Sequence, residues 1–484
     1  MENSTELRTV VYNVLLTQIQ FGVYHFREKL PTIEETSARL CVSVDTARSA
    51  YLKLKEKGYI TLSKNVGATV KVDYNAQETE EYIQTFFSTR KHAIIDLGRS
   101  IQPLFCNAQY LGLKNASPEM LTAMEGIFGG INQMAPYAIL KHLNQKYDAL
   151  GNNLLMRLVW QSFMFLHNPF FSIAENRQYF DHSLDYLPNI LRICQNRDWK
   201  ALRAAVEQPV ENLSTAISRF YRDRITMPAP EEEMAFAWSS YKKSQQMCYS
   251  FAMELLISIS RGIYPAGSIL PSQKELANQK GISLSTVRRA LELLASVGAI
   301  KASRYVGTQV LPFENATENS DFTKPVLQRR LLDTADSLQM LALSCKDVST
   351  LTLSSLSPDS IERMCQELKA QKKAGHGETL SYFILNLIAQ HAPYQTIRTV
   401  YSELLRQFFW AYALRGMMEK NQESINAIYA PYQEALTASL EKRDFVRFSA
   451  LLEEFIIDEF HRTMESMSLL HIPGTRNILL PDCP

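Results

Sequence analysis

The 484-residue sequence lacks the marks of most enzymes and membrane proteins. Its seven cysteines (Cys41, Cys106, Cys194, Cys248, Cys345, Cys365 and Cys483) include no C-x-x-C pair. An odd count without that spacing argues against a disulfide framework and implies reduced, buried thiols. The nine histidines form no H-x-x-x-H pair. No apolar run reaches the ~18 residues of a membrane span. There is no G-x-S-x-G, H-E-x-x-H or Walker loop, so no catalytic constellation, metal site or cofactor is expected. Neither sign of charge dominates: 51 Lys+Arg oppose 50 Asp+Glu, a net of +1, which excludes a uniformly basic coat. At 46% hydrophobic and 21% charged residues the chain is too apolar for disorder. Its first residues, Met1 to Glu6, are polar and acidic, unlike a secretory signal. The expectation is a cytoplasmic protein of several domains with no membrane contact.

What the sequence does have is a repeat. Residue n matches residue n+240 without a gap from Leu15 to Val70. Leu15, Leu16 and Ile19 meet Leu255, Leu256 and Ile259, and Leu30-Pro31 meets Leu270-Pro271. Ser43, Thr46, Arg48 and Ala50 meet Ser283, Thr286, Arg288 and Ala290. Gly22, Gly58 and Gly67 meet Gly262, Gly298 and Gly307. A weaker echo follows at an offset of 246, where Arg197-Asp198-Trp199 meets Arg443-Asp444-Phe445. The chain therefore reads as two copies of one unit, each with a small head and a larger tail. Expected boundaries are 1–75 and 241–313 for the heads, and 76–240 and 314–484 for the tails.

The charge is divided in the same way. Residues 8–73 carry a net of +4 and residues 242–313 a net of +6, which leaves −9 on the rest. Basic heads on an acidic body suit a polyanionic partner, because phosphate contacts supply most non-specific affinity for nucleic acid.

The second head is the clearer to read. Phe251, Leu255 and Ile259 recur at helical spacing, and Gly262 with Tyr264-Pro265-Ala266-Gly267 stops that helix. Ser272 followed by Glu275 predicts a capping box on a second helix, which Gly281 ends. Ser283 caps a third helix to about Ser296, with Val287, Leu291 and Leu294 inward. Residues 299–303 and 307–310 then read as a hairpin. Helix, helix, turn, helix and hairpin make a winged helix-turn-helix. Ser283, Ser285, Thr286, Arg288 and Arg289 stand at the third helix's entry to a major groove. There Arg reads guanine bidentately, while Ser and Thr hold phosphates. Arg304 on the hairpin can reach the minor groove, and Gly307 permits close backbone approach.

The run Pro271-Ser272-Gln273-Lys274-Glu275-Leu276-Ala277, then Gly281-Ile282-Ser283-Leu284-Ser285-Thr286-Val287-Arg288-Arg289-Ala290-Leu291, Gly298 and Gly307-Thr308, resembles the GntR-family winged-helix head. The first head is similar to it through Leu30-Pro31-Thr32, Val42-Ser43, Thr46-Ala47-Arg48, Gly58 and Gly67. The resemblance implies a bacterial transcription regulator that binds double-stranded operator DNA. Contact residues are expected at Ser272, Lys274, Ser283, Ser285, Thr286, Arg288, Arg289, Arg304, Tyr305 and Gly307, and at Thr32, Ser43, Thr46, Arg48, Lys64 and Gly67. The family has Arg where this chain has Lys274 and Glu34, and again where it has Leu284 and Val44. Asn65 and Tyr305 replace the first wing-tip glycine. Glu34 and Asp45 place acid on the first head's expected DNA face, so that head reads DNA weakly or reads a different half-site.

The tails read as all-helical. Helices are expected near 76–106, 154–166, 176–195, 198–224, 326–344, 359–371, 397–414, 421–440 and 442–467, with another starting near Glu231. Residues 226–230 and 314–325 read as linkers. Among tails of this family, a helical one is similar to the FCD class, which holds a metal through one Asp and three His. His142 with Gly151-Asn152-Asn153-Leu154 resembles one of its segments. Ala138 stands where that motif wants Asp, and Phe383 stands in the matching part of copy two. No metal is therefore expected, and His142 reads as structural. The aromatic stripes read as core and name no effector residues. The fold expected is mainly α, with two hairpin wings and an internal duplication. The function expected is a non-enzymatic DNA-binding regulator, as a monomeric pseudo-dimer or a homodimer, with small-molecule control through the tails. The rival is a protein-interaction or sensor scaffold whose heads no longer bind DNA.

Overall fold

A computed structural model describes residues 4–63, 66–128, 136–180, 186–238, 243–417, 421–479 and 481. The first head runs α1 (Ser4–Gln20), α2 (Ile33–Leu40), α3 (Val44–Glu56), β1 (Ile60–Ser63) and β2 (Gly67–Val70). The first tail holds α4 (Ala76–Ser88), α5 (Lys91–Lys114), α6 (Pro118–Phe128), α7 (Pro136–Asp148), α8 (Asn153–Ser162), α9 (Asn168–Phe171), α10 (Tyr186–Gln195) and α11 (Trp199–Asp223). The second head is α12 (Lys243–Ser260), α13 (Gln273–Lys280), α14 (Leu284–Ser296), β3 (Ile300–Ser303) and β4 (Gly307–Val310). The second tail holds α15 (Pro325–Ser355), α16 (Pro358–Ala374), α17 (Leu380–His391), α18 (Gln395–Leu405), α19 (Phe408–Ala411), α20 (Gln422–Glu441) and α21 (Phe445–Leu469). The chain is thus mainly α, with two winged helix-turn-helix heads and helical tails. Among the described residues no helix is long and apolar enough to cross a membrane.

Two compact units result. One comprises Met1–Gln102, Gln109–Ala149 and Met156–Ala237; the other comprises Pro103–Ala108, Leu150–Leu155 and Trp238–Pro484. In the first unit, Val11, Leu15, Ile19, Leu30, Tyr51, Leu54, Ile60 and Val70 form the head core. Tyr51 adds a polar tie: its hydroxyl donates to Pro31 O at 2.6 Å and lies 2.8 Å from Thr36 Oγ1. In the second unit the head core continues into the tail through Leu327, Leu331, Phe409 and Trp410.

The duplication is visible in backbone detail. Both hairpins pair identically, Ile60 with Val70 and Ile300 with Val310. Both gain a third short edge, from Leu30 N to Ala68 O (3.0 Å) and from Leu270 N to Thr308 O (2.8 Å). The echo at offset 246 is real too. Arg197 and Arg443 share a left-handed backbone (φ 55° and 56°). The next residues, Asp198 and Asp444, cap α11 and α21 through the amides of Ala201 and Arg447, each at 3.0 Å.

Some helices depart from the sequence expectation. The helix expected over 76–106 breaks at Thr89-Arg90, where Arg90 turns its guanidinium onto Phe86, 3.0 Å from the carbonyl and over the ring. No helix starts near Glu231. That segment has no regular secondary structure and is tied to the first tail: Met234 N reaches Thr89 O (2.8 Å), and the Glu233 carboxylate accepts from His92 N (2.9 Å) in the first turn of α5. An acidic group there complements the helix dipole. Beyond α8 the expected helix widens into a π-turn, Phe163–His167.

Gly151 and Asn152, noted above beside His142, have a packing role within the second unit. A Cβ on Gly151 would lie 1.8 Å from Asn477 O. The Asn152 amide donates to Gln339 Oε1 (2.7 Å) and Asp336 O (2.8 Å). Gly298 is a second close approach, with φ 71° and a would-be Cβ 2.3 Å from Ala316 O. Its counterpart Gly58 has φ 81° and open space around it. Gly298→Ala is therefore expected to destabilise by roughly 3 kcal/mol and Gly58→Ala by about 1 kcal/mol. Urea midpoints of the two variants check this; equal losses would contradict it.

Candidate nucleic-acid interface

Each head presents two capped helix starts. Thr32 accepts from Glu35 N (3.1 Å), and the Glu35 carboxylate accepts from Thr32 N (2.8 Å). Ser272 and Glu275 repeat that box at 3.3 and 2.8 Å. Ser43 and Ser283 accept from the amides of Thr46 and Thr286, both at 3.1 Å. These short polar residues thus fix where α2, α3, α13 and α14 begin. The first turns they shape carry unpaired N–H groups and positive dipole ends, which suit phosphate.

The expected contact residues divide by exposure. Ser285, Arg288, Arg289, Lys274, Ser272, Ser283, Arg304, Tyr305 and Gly307 are exposed in the second head, and Thr286 is half-buried. Thr32, Ser43, Arg48 and Gly67 are exposed in the first, while Thr46 is only 5% exposed. The Thr46 hydroxyl lies 2.8 Å from Ser43 Oγ, so it serves the cap. Lys64 lies outside the described residues. Tyr305 sits fully exposed at the wing tip with φ 66°, a left-handed backbone that favours glycine.

The two heads differ most in charge pairing. On α3, Arg48 Nη1 lies 3.5 Å from Asp45 Oδ1. The position matching Asp45 on α14 is Ser285, and Arg288 makes no ion pair among the described residues. Among the described residues α14 thus carries an exposed guanidinium with no ion pair, while the guanidinium on α3 lies near a carboxylate of its own helix. Arg289 lies on another face of α14, beside Cys248 and Trp410. Nothing local in the sequence marked that placement, because the neighbours come from distant segments.

His142 is buried, and burial next to Lys146 holds its pKa well below the ordinary imidazole range. Among the described residues no three His, Cys, Asp or Glu side chains gather as a metal site.

The family model described as bacterial regulatory proteins of the gntR family matches residues 7–70 and 251–310. Both heads are GntR-type winged helices. Two GntR-type heads thus account for the repeat and for the hairpin after each helical triplet. Among curated relatives, the HTH-type transcriptional regulator YieP of Escherichia coli K12 is 35% identical over 71 residues, 15% of this chain and 31% of YieP. GgaR of the same strain, also named an HTH-type transcriptional regulator, is 35% identical over 60 residues, 12% of this chain and 24% of GgaR. The chain spans under a third of the length of these relatives. A solved Streptococcus agalactiae GntR is matched over 44% of this chain and 99% of that one, at 15% identity and a TM-score of 0.21.

Proposed function

We propose that the chain is a sequence-specific, DNA-binding transcription regulator whose two unlike GntR-type heads are supplied by one polypeptide. The observation that supports this best is the doubled, serine-capped recognition helix with a wing, one copy carrying an Arg288 that makes no ion pair among the described residues. Two heads on one chain do what dimerisation does for single-headed regulators: they bring two half-sites under one protein. The heads differ, so the operator is asymmetric. The tails hold the heads and give a small effector two arrangements to choose between.

The Asp45–Arg48 pair favours a narrower second reading for the first head, as a protein-interaction module. Asp45→Ser decides between them. If the first head faces phosphate, removing this acid strengthens operator binding roughly fivefold and steepens its salt dependence. Unchanged affinity assigns that face to another partner. Fluorescence anisotropy with native promoter DNA across a salt series measures both quantities. Sedimentation of the free protein is expected to give one 55.2 kDa particle; a tight dimer would mean four heads and a different operator.

A further inference from the structure

We propose that the second copy carries a small-molecule site between its recognition helix and its own tail, and that this site takes a compact aromatic monocarboxylate. It deepens the effector part of the reading above and rests on that reading only for its effect on DNA.

The site is a cleft of about 560 Å³ within the second unit. That size falls inside the ~300–1,000 Å³ of ordinary ligand pockets. Its floor is aromatic: Tyr249 and Trp410 are both buried and meet edge to face, with ring centroids 5.8 Å apart. Leu327 extends that floor, and Val326 stands at the mouth with 69% of its surface in water. An exposed branched side chain beside an aromatic floor is surface that a flat apolar ligand covers.

The rim sets the polar end. Arg289 projects from α14 into the cleft and has no carboxylate within ion-pair distance among the described residues. The other cation, Lys324, already lies 3.7 Å from Asp321. An unpaired guanidinium beside an apolar floor matches one carboxylate, which it grips bidentately. Glu292, one turn further along α14, faces the same cleft. With Asp321 it balances the two cations, so a second negative charge on the ligand is repelled. That selects a monoanion over a phosphate. The first turn of α15, which Lys324 opens without a side-chain cap, adds favourable dipole density for the anion.

The first copy lacks this set. Positions matching Cys248, Tyr249, Arg289 and Glu292 hold Arg8, Thr9, Ser49 and Leu52. The stoichiometry is therefore one ligand per chain. The cleft opens on the C-terminal half of α14, and the DNA-facing end is the same helix one turn earlier. A carboxylate held on Arg289 adds negative charge one residue from Arg288 on the same helix, so bound ligand lowers operator affinity. By reciprocity, DNA lowers ligand affinity by the same factor.

The test is calorimetry on the full chain with phenylacetate and indole-3-acetate, each beside its uncharged amide. The acids are expected to bind one per chain, and the amides at least tenfold more weakly. Arg289→Gln should weaken the acids about tenfold and erase their advantage over the amides. Val326→Trp, at an exposed position, should block both classes while the melting temperature holds. No binding of either acid up to about 10 mM overturns the site, as do amides that match the acids, or an Arg289→Gln protein that binds like the parent. Operator affinity is measured on the same preparation with and without phenylacetate, and a fall of about fivefold is expected. Binding without that fall overturns the coupling. Specific DNA binding without acid binding sinks the site alone. Acid binding without specific DNA binding supports the site and sinks the regulator reading.

Discussion

Alanine at Arg288 is expected to weaken operator binding by about 1–3 kcal/mol and to relax preference at one base position. The effect is large because this guanidinium is exposed on α14 and makes no ion pair among the described residues. Its full charge is therefore available to a guanine edge or a phosphate. The matched change, Arg48→Ala, should cost less than half as much, because Arg48 shares its charge with Asp45 at 3.5 Å. Binding curves against an operator and its single-base variants separate the cases. A uniform loss across all variants would make Arg288 a phosphate contact, with the salt slope falling by about one. Equal losses at Arg48 and Arg288 would contradict the assigned difference between the heads.

Alanine at Arg415 is expected to destabilise the second unit by roughly 3–5 kcal/mol, the usual result of stripping one partner from a buried ion pair. Arg415 is 8% exposed and its Nη2 donates to Glu378 Oε1 at 2.7 Å, while Glu378 is 5% exposed. The other Nη donates to Ser260 Oγ at 3.2 Å, at the end of the first helix of the second head. The guanidinium carbon also lies 4.4 Å from the Phe313 ring centroid, just past the wing. One buried cation thus ties the head to the tail behind it. Removing it leaves the Glu378 carboxylate buried, with the Gln422 amide at 2.7 Å and the His376 ring at 3.4 Å as its described polar neighbours. The double change Arg415→Met with Glu378→Gln should lose much less, because no lone charge is stranded. Urea denaturation measures both, and a single-variant loss below about 1 kcal/mol would contradict the account.

The heads were legible because their cues are local. A serine before a helix, a glycine after it and an ungapped offset of 240 residues fix where each element starts and stops. The same local logic marked Asp45 as an acid on the expected DNA face. It missed that Thr46 is turned inward to its own cap, because burial depends on how α3 lies on the head core. The tails were legible only as helices. Arg90 breaks a helix that periodicity runs through, because it finds the Phe86 carbonyl and ring. Glu233 stays out of a helix because its partner, His92, lies 141 residues earlier. The cleft on α14 had no signature at all: its lining comes from four separated segments, and only packing brings Arg289 beside Trp410. Glycine shows the opposite case. Gly58 and Gly298 match in sequence and in backbone, yet only Gly298 presses on a carbonyl.

The most direct test of two unlike heads on one chain is selection of bound sequences from random duplex DNA by the intact protein. The account predicts one consensus holding two different half-sites, the stronger of which loses a base preference in Arg288→Ala. A perfect inverted repeat, or no enrichment over the starting pool, would contradict it.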